Sequence, residues 1–277
     1  MKTEGAAPMM NSADMTALKI AVNLLENPRF VARLVDVIGT PIEKAIALLP
    51  AKAAEGIGSA AHKAILAALK IALKTMEGHD PSMGDPPESS DWWHKAATAA
   101  SGAVGGAFGI FAVAVELPVS TTIIMRSIAD VARSEGADLN NVETQLECVQ
   151  VLAFGGPSGA DDGAEIAYFA AREALAKAIA DAATYITKNG LGAKGGPALV
   201  RLILLIAERY SITVTEKAAA QLIPVIGAIG GALVNTAFMD HFQNLARGHF
   251  TVRRLEQKYG EELVRDKYAE FRVAPKR

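Results

Sequence analysis

The sequence predicts an all-α protein, a compact multi-helix bundle whose central helices are rich in glycine and alanine. Apolar residues recur at three- and four-residue spacing through most of the 277 residues, which is the period of an amphipathic helix. The only short β-branched run, Ser211–Thr215, is flanked by helical patterns, so no sheet can be assembled. A hydrophobic fraction of 51% supplies enough apolar side chains for a sizeable core.

The predicted helices follow one another along the chain with few breaks. The first covers Met15 to Glu26, and the next begins at Thr40-Pro41-Ile42-Glu43, where a threonine cap, a proline and a glutamate satisfy free amide groups. This helical layer continues to about Glu77 and includes an amphipathic segment over 61–76, whose apolar face is a candidate for the core. Further helices are predicted near 92–115, 117–134, 141–153, 163–188, 197–209, 214–222, 224–247 and 249–271.

Gly-, Pro-, Asp- and Ser-rich segments divide the chain. Residues 78–91 contain almost nothing apolar, so they cannot bury enough surface to fix a structure and are predicted to be a linker or loop. We therefore expect an N-terminal helical layer over 1–77 and a main helical domain over 92–277. Two shorter loops are predicted at 155–162 and 190–197, the second ending at a proline that restarts a helix.

Two stretches reach membrane-spanning length without a charged residue. They are Ala96 to Val115 and Ala218 to Met239, and about 20 apolar residues can cross a bilayer core. Both contain mainly small residues with few leucines or phenylalanines, and Pro224 interrupts the second. They are predicted to be either central buried helices or segments that insert into a membrane or dock on its surface.

Glycines at three- and four-residue spacing in these stretches predict smooth helix faces. Another backbone can approach such a face closely, both in lipid and in soluble bundles, so the pattern does not choose between the two. The predicted packing positions are Gly102, Gly105, Gly106, Gly109, Gly227, Gly230 and Gly231.

A polar stripe follows the first stretch. If Pro118 lies near a helix start, Thr122, Arg126, Asp130 and Arg133 fall within an arc of roughly 80°. The opposite side of this helix is apolar. The stripe is therefore predicted to face a partner stripe or, alternatively, to be a solvated face with an Arg126–Asp130 pair.

Two sequence blocks carry a family resemblance. The first reads ELPVSTTIIMRSIADVA and follows a Gly-rich stretch; the second reads IPVIGAIGGALVNTAFMDHFQNLARGHF, with LECVQVLAFGG between them. In this order the blocks resemble the EcsC family of bacterial proteins, named after a companion of an ABC transporter, over residues 91–270. The resemblance implies a link to membrane transport or secretion and supplies no catalytic residues. It makes residues 92–277 an EcsC-like domain.

A second polar stripe lies in the second block. On a helix from about Pro224, Asp240, Gln243, Arg247 and Arg254 fall within an arc of roughly 60°. A buried charge is costly unless it is paired, so Glu116, Arg126 and Asp130 are expected to need partners. The expected partners are Asn235, Asp240 or Arg247. The candidate polar site comprises Glu116, Thr121, Thr122, Arg126, Asp130, Asn235, Asp240, Arg247 and His249.

These residues could also serve chemistry. Carboxylates with a histidine can act as acid and base, so a hydrolase-type site formed by Glu116, Arg126, Asp130 and the Asp240–His249 segment is an alternative. No GxSxG elbow surrounds Thr121 or Thr122, and the sequence contains no HExxH or CxxC spacing. We assign no catalytic residue and expect neither a metal nor a cofactor.

Net charge and cysteine content limit the kinds of partner and compartment that the sequence favours. A net charge of −2 gives no electrostatic basis for nucleic-acid binding, and a single cysteine, Cys148, suits a reducing compartment. From Asp240 onward the sequence contains nine basic and six acidic residues, and this excess of positive charge would favour binding to an anionic membrane surface. We expect a cytoplasmic, non-enzymatic protein at the inner face of the membrane, with lipid or a membrane protein, such as an ABC transporter system, as its partner. A soluble helical scaffold is the remaining alternative.

Overall fold

The computed structural model describes residues 9–26, 42–47, 49, 51–75, 110–154, 167–190, 196–221 and 227–273. These residues form an all-α bundle without strands, which confirms the predicted fold class. The α-helices of the described part are α1 (Ser12–Glu26), α2 (Ile42–Ala47), α3 (Ala51–Thr75), α4 (Ile110–Ser134), α5 (Val142–Gln150), α6 (Ala167–Asn189), α7 (Pro197–Gln221), α8 (Gly227–Tyr259) and α9 (Glu261–Val273). A short 3₁₀ helix, Val151–Ala153, follows α5.

Helices α4, α7 and α8 form the part of the bundle that matters most for the site. Hydrogen bonds join Glu116 to Asn235, Ser127 to Gln243 and Glu135 to Arg254. The residue numbers on α4 and on α8 increase together from one pair to the next, so the two helices run parallel. Helix α7 runs antiparallel to α4, because Tyr210 contacts Thr121 whereas Lys217, later in the chain, contacts Glu116.

The N-terminal helices pack into the same core as the rest of the described chain. Helix α3 packs on α4, α5 and α7, and α1 packs on α8 and α9. The apolar face of α3 is buried, including Ile57, Ile65 and Leu69, while Lys63 and Lys70 are exposed, as the periodicity predicts. The predicted linker over 78–91 lies outside the described residues, as do the loop over 155–162 and Gly102 to Gly109.

Two predicted helix boundaries are wrong because burial overrides a local signal. Pro118, placed near a helix start, lies inside α4, which is already helical at Ile110. Proline in a helix interior costs about 3 kcal/mol or more, but neighbouring Leu117 is fully buried and packing of α4 against four helices offsets that cost. Ser211–Thr215 is not a break: α7 is continuous, with Ser211 and Thr215 hydroxyls donating to carbonyls of the preceding turn.

A third boundary is misplaced by twelve residues, from Gly248 to Gly260. Gly248 lies within α8, and a Cβ atom there would come within 2.6 Å of the Leu25 side chain and 3.2 Å of the Ala21 carbonyl oxygen. It is a close-approach position between α8 and α1. Gly260, in contrast, has φ +89°, a conformation that glycine adopts without strain, and it separates α8 from α9.

Candidate functional site

The centre of the site is a buried carboxylate that joins three helices. Glu116 of α4 accepts hydrogen bonds on Oε1 from Lys217 Nζ of α7 at 2.8 Å and from Asn235 Nδ2 of α8 at 2.7 Å. Glu116, Lys217 and Asn235 are all buried, and Lys217 Nζ also lies 4.7 Å from the centre of the Phe238 ring. The other carboxylate oxygen, Oε2, is buried and has no hydrogen-bond partner among the described residues.

Burial sets the electrostatics of this pair. Removal from water lowers the pKa of Lys217, and the adjacent Glu116 carboxylate opposes that effect. A buried ion pair loses most of the hydration energy of both charges, and only good hydrogen-bond geometry compensates for that loss. Here the compensation comes from the two short hydrogen bonds that Glu116 accepts, one from Lys217 and one from Asn235.

Two further layers of polar contacts lie deeper along the same helices. Thr121 Oγ1 lies 2.7 Å from the Tyr210 hydroxyl, and Gln243 Nε2 donates to Ser127 Oγ at 2.8 Å. Burial raises the pKa of Tyr210, so its hydroxyl stays protonated. We call these buried side chains the polar seam; its members are Glu116, Ser120, Thr121, Ser127, Tyr210, Lys217, Asn235 and Gln243.

A second polar cluster surrounds the far half of α8. Arg172 of α6 donates two hydrogen bonds to Glu256, at 2.6 and 2.8 Å, and Arg253 contacts both Glu256 and Glu147. The Tyr168 hydroxyl lies 2.8 Å from Nδ1 of His249. Burial, reinforced by Arg172 and Arg253, lowers the pKa of His249 well below its ordinary value, so the imidazole is neutral.

The structure brings together some of the sequence-predicted site residues and separates others. Glu116 and Asn235 meet, as the need to pair a buried charge predicts, whereas Thr121 contacts Tyr210 instead. His249 lies 14 residues after Asn235 on α8, about 21 Å along the axis, so a catalytic group joining Glu116 to His249 is not formed.

The first polar stripe is partly exposed and lies outside the polar seam. Arg126 is exposed, Thr122 is half-buried and donates to the Pro118 carbonyl, and Asp130 pairs with Arg133 at 3.0 Å. Asp240 and Arg247 are half-buried on α8. Only Glu116 and Thr121 of the α4 candidates therefore point into the polar seam.

Five members of the polar seam are not among the candidate site residues: Ser120, Ser127, Tyr210, Lys217 and Gln243. The signal for Lys217 was present, because it is the last charged residue before the uncharged stretch 218–239, just as Glu116 is the first after the stretch 96–115. Within the described part of the chain, no group of three or more His, Cys, Asp or Glu side chains could hold a metal.

The described residues contain one helical window long and apolar enough to cross a bilayer, Glu55–Leu73 of α3, with a mean hydropathy of 1.3. Half of that window is buried in the protein. Of the two stretches singled out from the sequence, residues 96–109 and 222–226 lie outside the described ranges. Gly227, Gly230 and Gly231 belong to the first turns of α8.

Comparison with known proteins relates the chain to one family. The model of the EcsC protein family matches residues 20–255, which is most of the chain. The match takes in the second half of α1 and all of α2 and α3, which lie before the resemblance noted over 91–270. No curated protein and no solved structure matches the chain.

Proposed function

Because the chain belongs to the EcsC family, we propose that it is a cytoplasmic, non-enzymatic protein that docks on a membrane and serves transport or secretion. The docking end is the part of the bundle where α4 begins, α7 ends and α8 begins. Its partner is the lipid bilayer, and the family resemblance adds a membrane protein such as an ABC transporter as a neighbour there.

One observation carries this proposal, the position of the Glu116–Lys217 ion pair. Glu116 directly follows the uncharged stretch 96–115, and Lys217 directly precedes the uncharged stretch 218–239. Their contact at 2.8 Å puts the end of the first stretch beside the beginning of the second and neutralises the charge at each of these two points. The described residues that adjoin the ion pair, 110–115 and 218–221, therefore carry no net charge to oppose contact with lipid.

Exposed apolar side chains occur at the same end. Val119, three residues after Glu116, and Leu233, two residues before Asn235, are 53% and 50% exposed. Single exposed apolar residues are common on proteins, so they acquire weight only beside the two uncharged stretches. Together they give the docking end an apolar surface.

Electrostatic attraction contributes little to the proposed binding, because six of the nine basic residues from Asp240 onward already have carboxylate partners. Each of six cations lies within 4.0 Å of a carboxylate; they are Arg253, Arg254, Lys258, Arg265, Lys267 and Arg272. A basic patch that attracts anionic lipid needs charges that are not already neutralised. We therefore expect binding to zwitterionic vesicles that salt does not release.

The test is co-sedimentation with phosphatidylcholine vesicles of two matched variants. Leu233→Asp puts a charge at the docking end, whereas Leu204→Asp makes the same change at a leucine of α7 that is 54% exposed and outside both stretches. We expect Leu233→Asp to abolish sedimentation with vesicles and Leu204→Asp to leave it unchanged. Equal binding by both variants, or no binding by the unmodified chain to neutral or anionic vesicles, would contradict the proposal and favour a soluble scaffold.

A further inference from the structure

One oxygen atom links three helices at the docking end. Glu116 Oε1 holds both Lys217, at the end of α7, and Asn235, near the beginning of α8. Asn235 belongs to the second uncharged stretch itself. These three residues, which we call the Glu116 latch, therefore fix the first turns of α4 and α8 against the last turn of α7.

The ion pair of the Glu116 latch is not an efficient way to stabilise the fold. Apolar residues of similar volume in place of a buried ion pair often give an equally or more stable protein. The surroundings of the latch are built from apolar side chains such as Leu117, Val234 and Phe238, all fully buried. Glu116 Oε2 is also left without a partner among the described residues, which adds to the cost of the closed arrangement.

The cost of opening the latch differs between water and a bilayer surface. In solution, separation of the helices would hydrate Glu116 and Lys217 but expose to water the apolar faces that α4, α7 and α8 bury, which is unfavourable. At a bilayer surface those faces would meet lipid, and the charged ends of long side chains such as lysine can still reach the headgroup layer. Contact with lipid therefore removes most of the penalty that keeps the latch closed.

We propose that the Glu116 latch holds α4, α7 and α8 together in the free protein and opens when the docking end enters lipid. This inference rests on the proposed membrane function and adds its regulation. The closed latch keeps the apolar sides of the three helices buried in solution, and the open latch exposes them only at a membrane.

The experiment compares two buried glutamates in the vesicle assay. Glu116→Gln breaks the latch, whereas Glu256→Gln breaks a buried ion pair of the same kind about 30 Å further along α8, where Glu256 contacts Arg172 and Arg253. Both variants should melt at a lower temperature than the unmodified chain. Only Glu116→Gln should bind vesicles more tightly, by about tenfold, because it removes the ion pair that holds α4, α7 and α8 in the closed arrangement.

A second substitution separates the latch from general loosening of the fold. Lys217→Met, added to Glu116→Gln, removes the unpaired cation and should restore the melting temperature, while binding to phosphatidylcholine vesicles stays above that of the unmodified chain. Binding that returns to the original level together with stability would overturn the latch, as would equal gains in Glu116→Gln and Glu256→Gln. Unmodified protein that binds vesicles while Glu116→Gln binds no better would also reject the latch, yet leave the membrane function intact. Absence of binding by every variant would reject both.

Discussion

Tyr210 and Thr121 share a hydrogen bond of 2.7 Å in the middle of the polar seam, where both residues are fully buried. The Tyr210 ring also packs near Phe238 and Phe242, with ring centres 6.2 and 5.7 Å away. Thr121 Oγ1 lies 2.7 Å from the Leu117 carbonyl as well, to which it donates, so Thr121 acts as the acceptor for the Tyr210 hydroxyl. The contact joins α4 to α7 one layer below the Glu116–Lys217 pair.

Tyr210→Phe should lower the free energy of unfolding by about 1 kcal/mol. The substitution removes only the hydroxyl and leaves the ring contacts with Phe238 and Phe242 in place, so the loss reports one buried hydrogen bond. Urea unfolding measures it as a lower midpoint with an unchanged slope.

Tyr185→Phe is the matched control for this substitution. Its side chain is half-buried, and its hydroxyl has no hydrogen-bond partner in the part of the chain that the structure describes. We expect its midpoint to stay within error of the unmodified protein. A Tyr210→Phe midpoint that is equally unchanged would mean that the Thr121 contact contributes nothing to stability.

Gly248→Ala should destabilise the protein by about 1–3 kcal/mol, although alanine is the better helix former. The added Cβ would lie 2.6 Å from Cγ of Leu25 and 3.2 Å from the Ala21 carbonyl oxygen, so α1 must shift away from α8. Thermal unfolding followed by circular dichroism measures the loss.

Gly58→Ala is the control for the helix-propensity part of that change. Gly58 lies in α3 with no atom within 4 Å of the position of an added Cβ, so the alanine should stabilise by roughly 0.5–1 kcal/mol. Opposite signs for the two substitutions are expected. A gain in stability at both positions would mean that α1 yields to Gly248→Ala without cost.

The sequence was sufficient to predict the helices because their apolar periodicity persists over many turns. It was insufficient at Pro118, Ser211–Thr215 and Gly248. Residues of these types often end a helix, but here they lie inside helices that pack against the rest of the bundle. At each of these positions burial against neighbouring helices outweighs the local preference, and that burial depends on residues distant in the chain.

The misplaced break in α7 also explains why part of the site escaped prediction. The predicted helices over 197–209 and 214–222 leave out residues 210–213. In that prediction Tyr210 and Lys217 therefore do not share a helix face. In the continuous helix, seven residues of separation bring them within about 20° of each other, and both face α4. Glu116 and Asn235 were found because a polar residue at the boundary or interior of an uncharged stretch needs a partner.

Stability should fall as the pH drops below about 6.5, because buried histidines stay neutral in the folded protein. Burial lowers the pKa of His241 from 6.5 to about 3, and that of His249 lies well below 6.5. The unfolded chain binds protons at both positions below pH 6.5, whereas the folded chain does not, so the stability present above pH 6.5 is lost as the pH falls. Each neutral histidine should contribute a slope of about 1.4 kcal/mol per pH unit between pH 6 and 4.

His241→Phe tests this origin, because phenylalanine retains a ring of similar size beside Phe242 and cannot take up a proton. Urea midpoints measured at steps between pH 7 and 4 should show a shallower loss of stability for His241→Phe than for the unmodified chain. Parallel curves for the two proteins would mean that His241 takes up a proton in the folded state, and therefore that water reaches this part of α8.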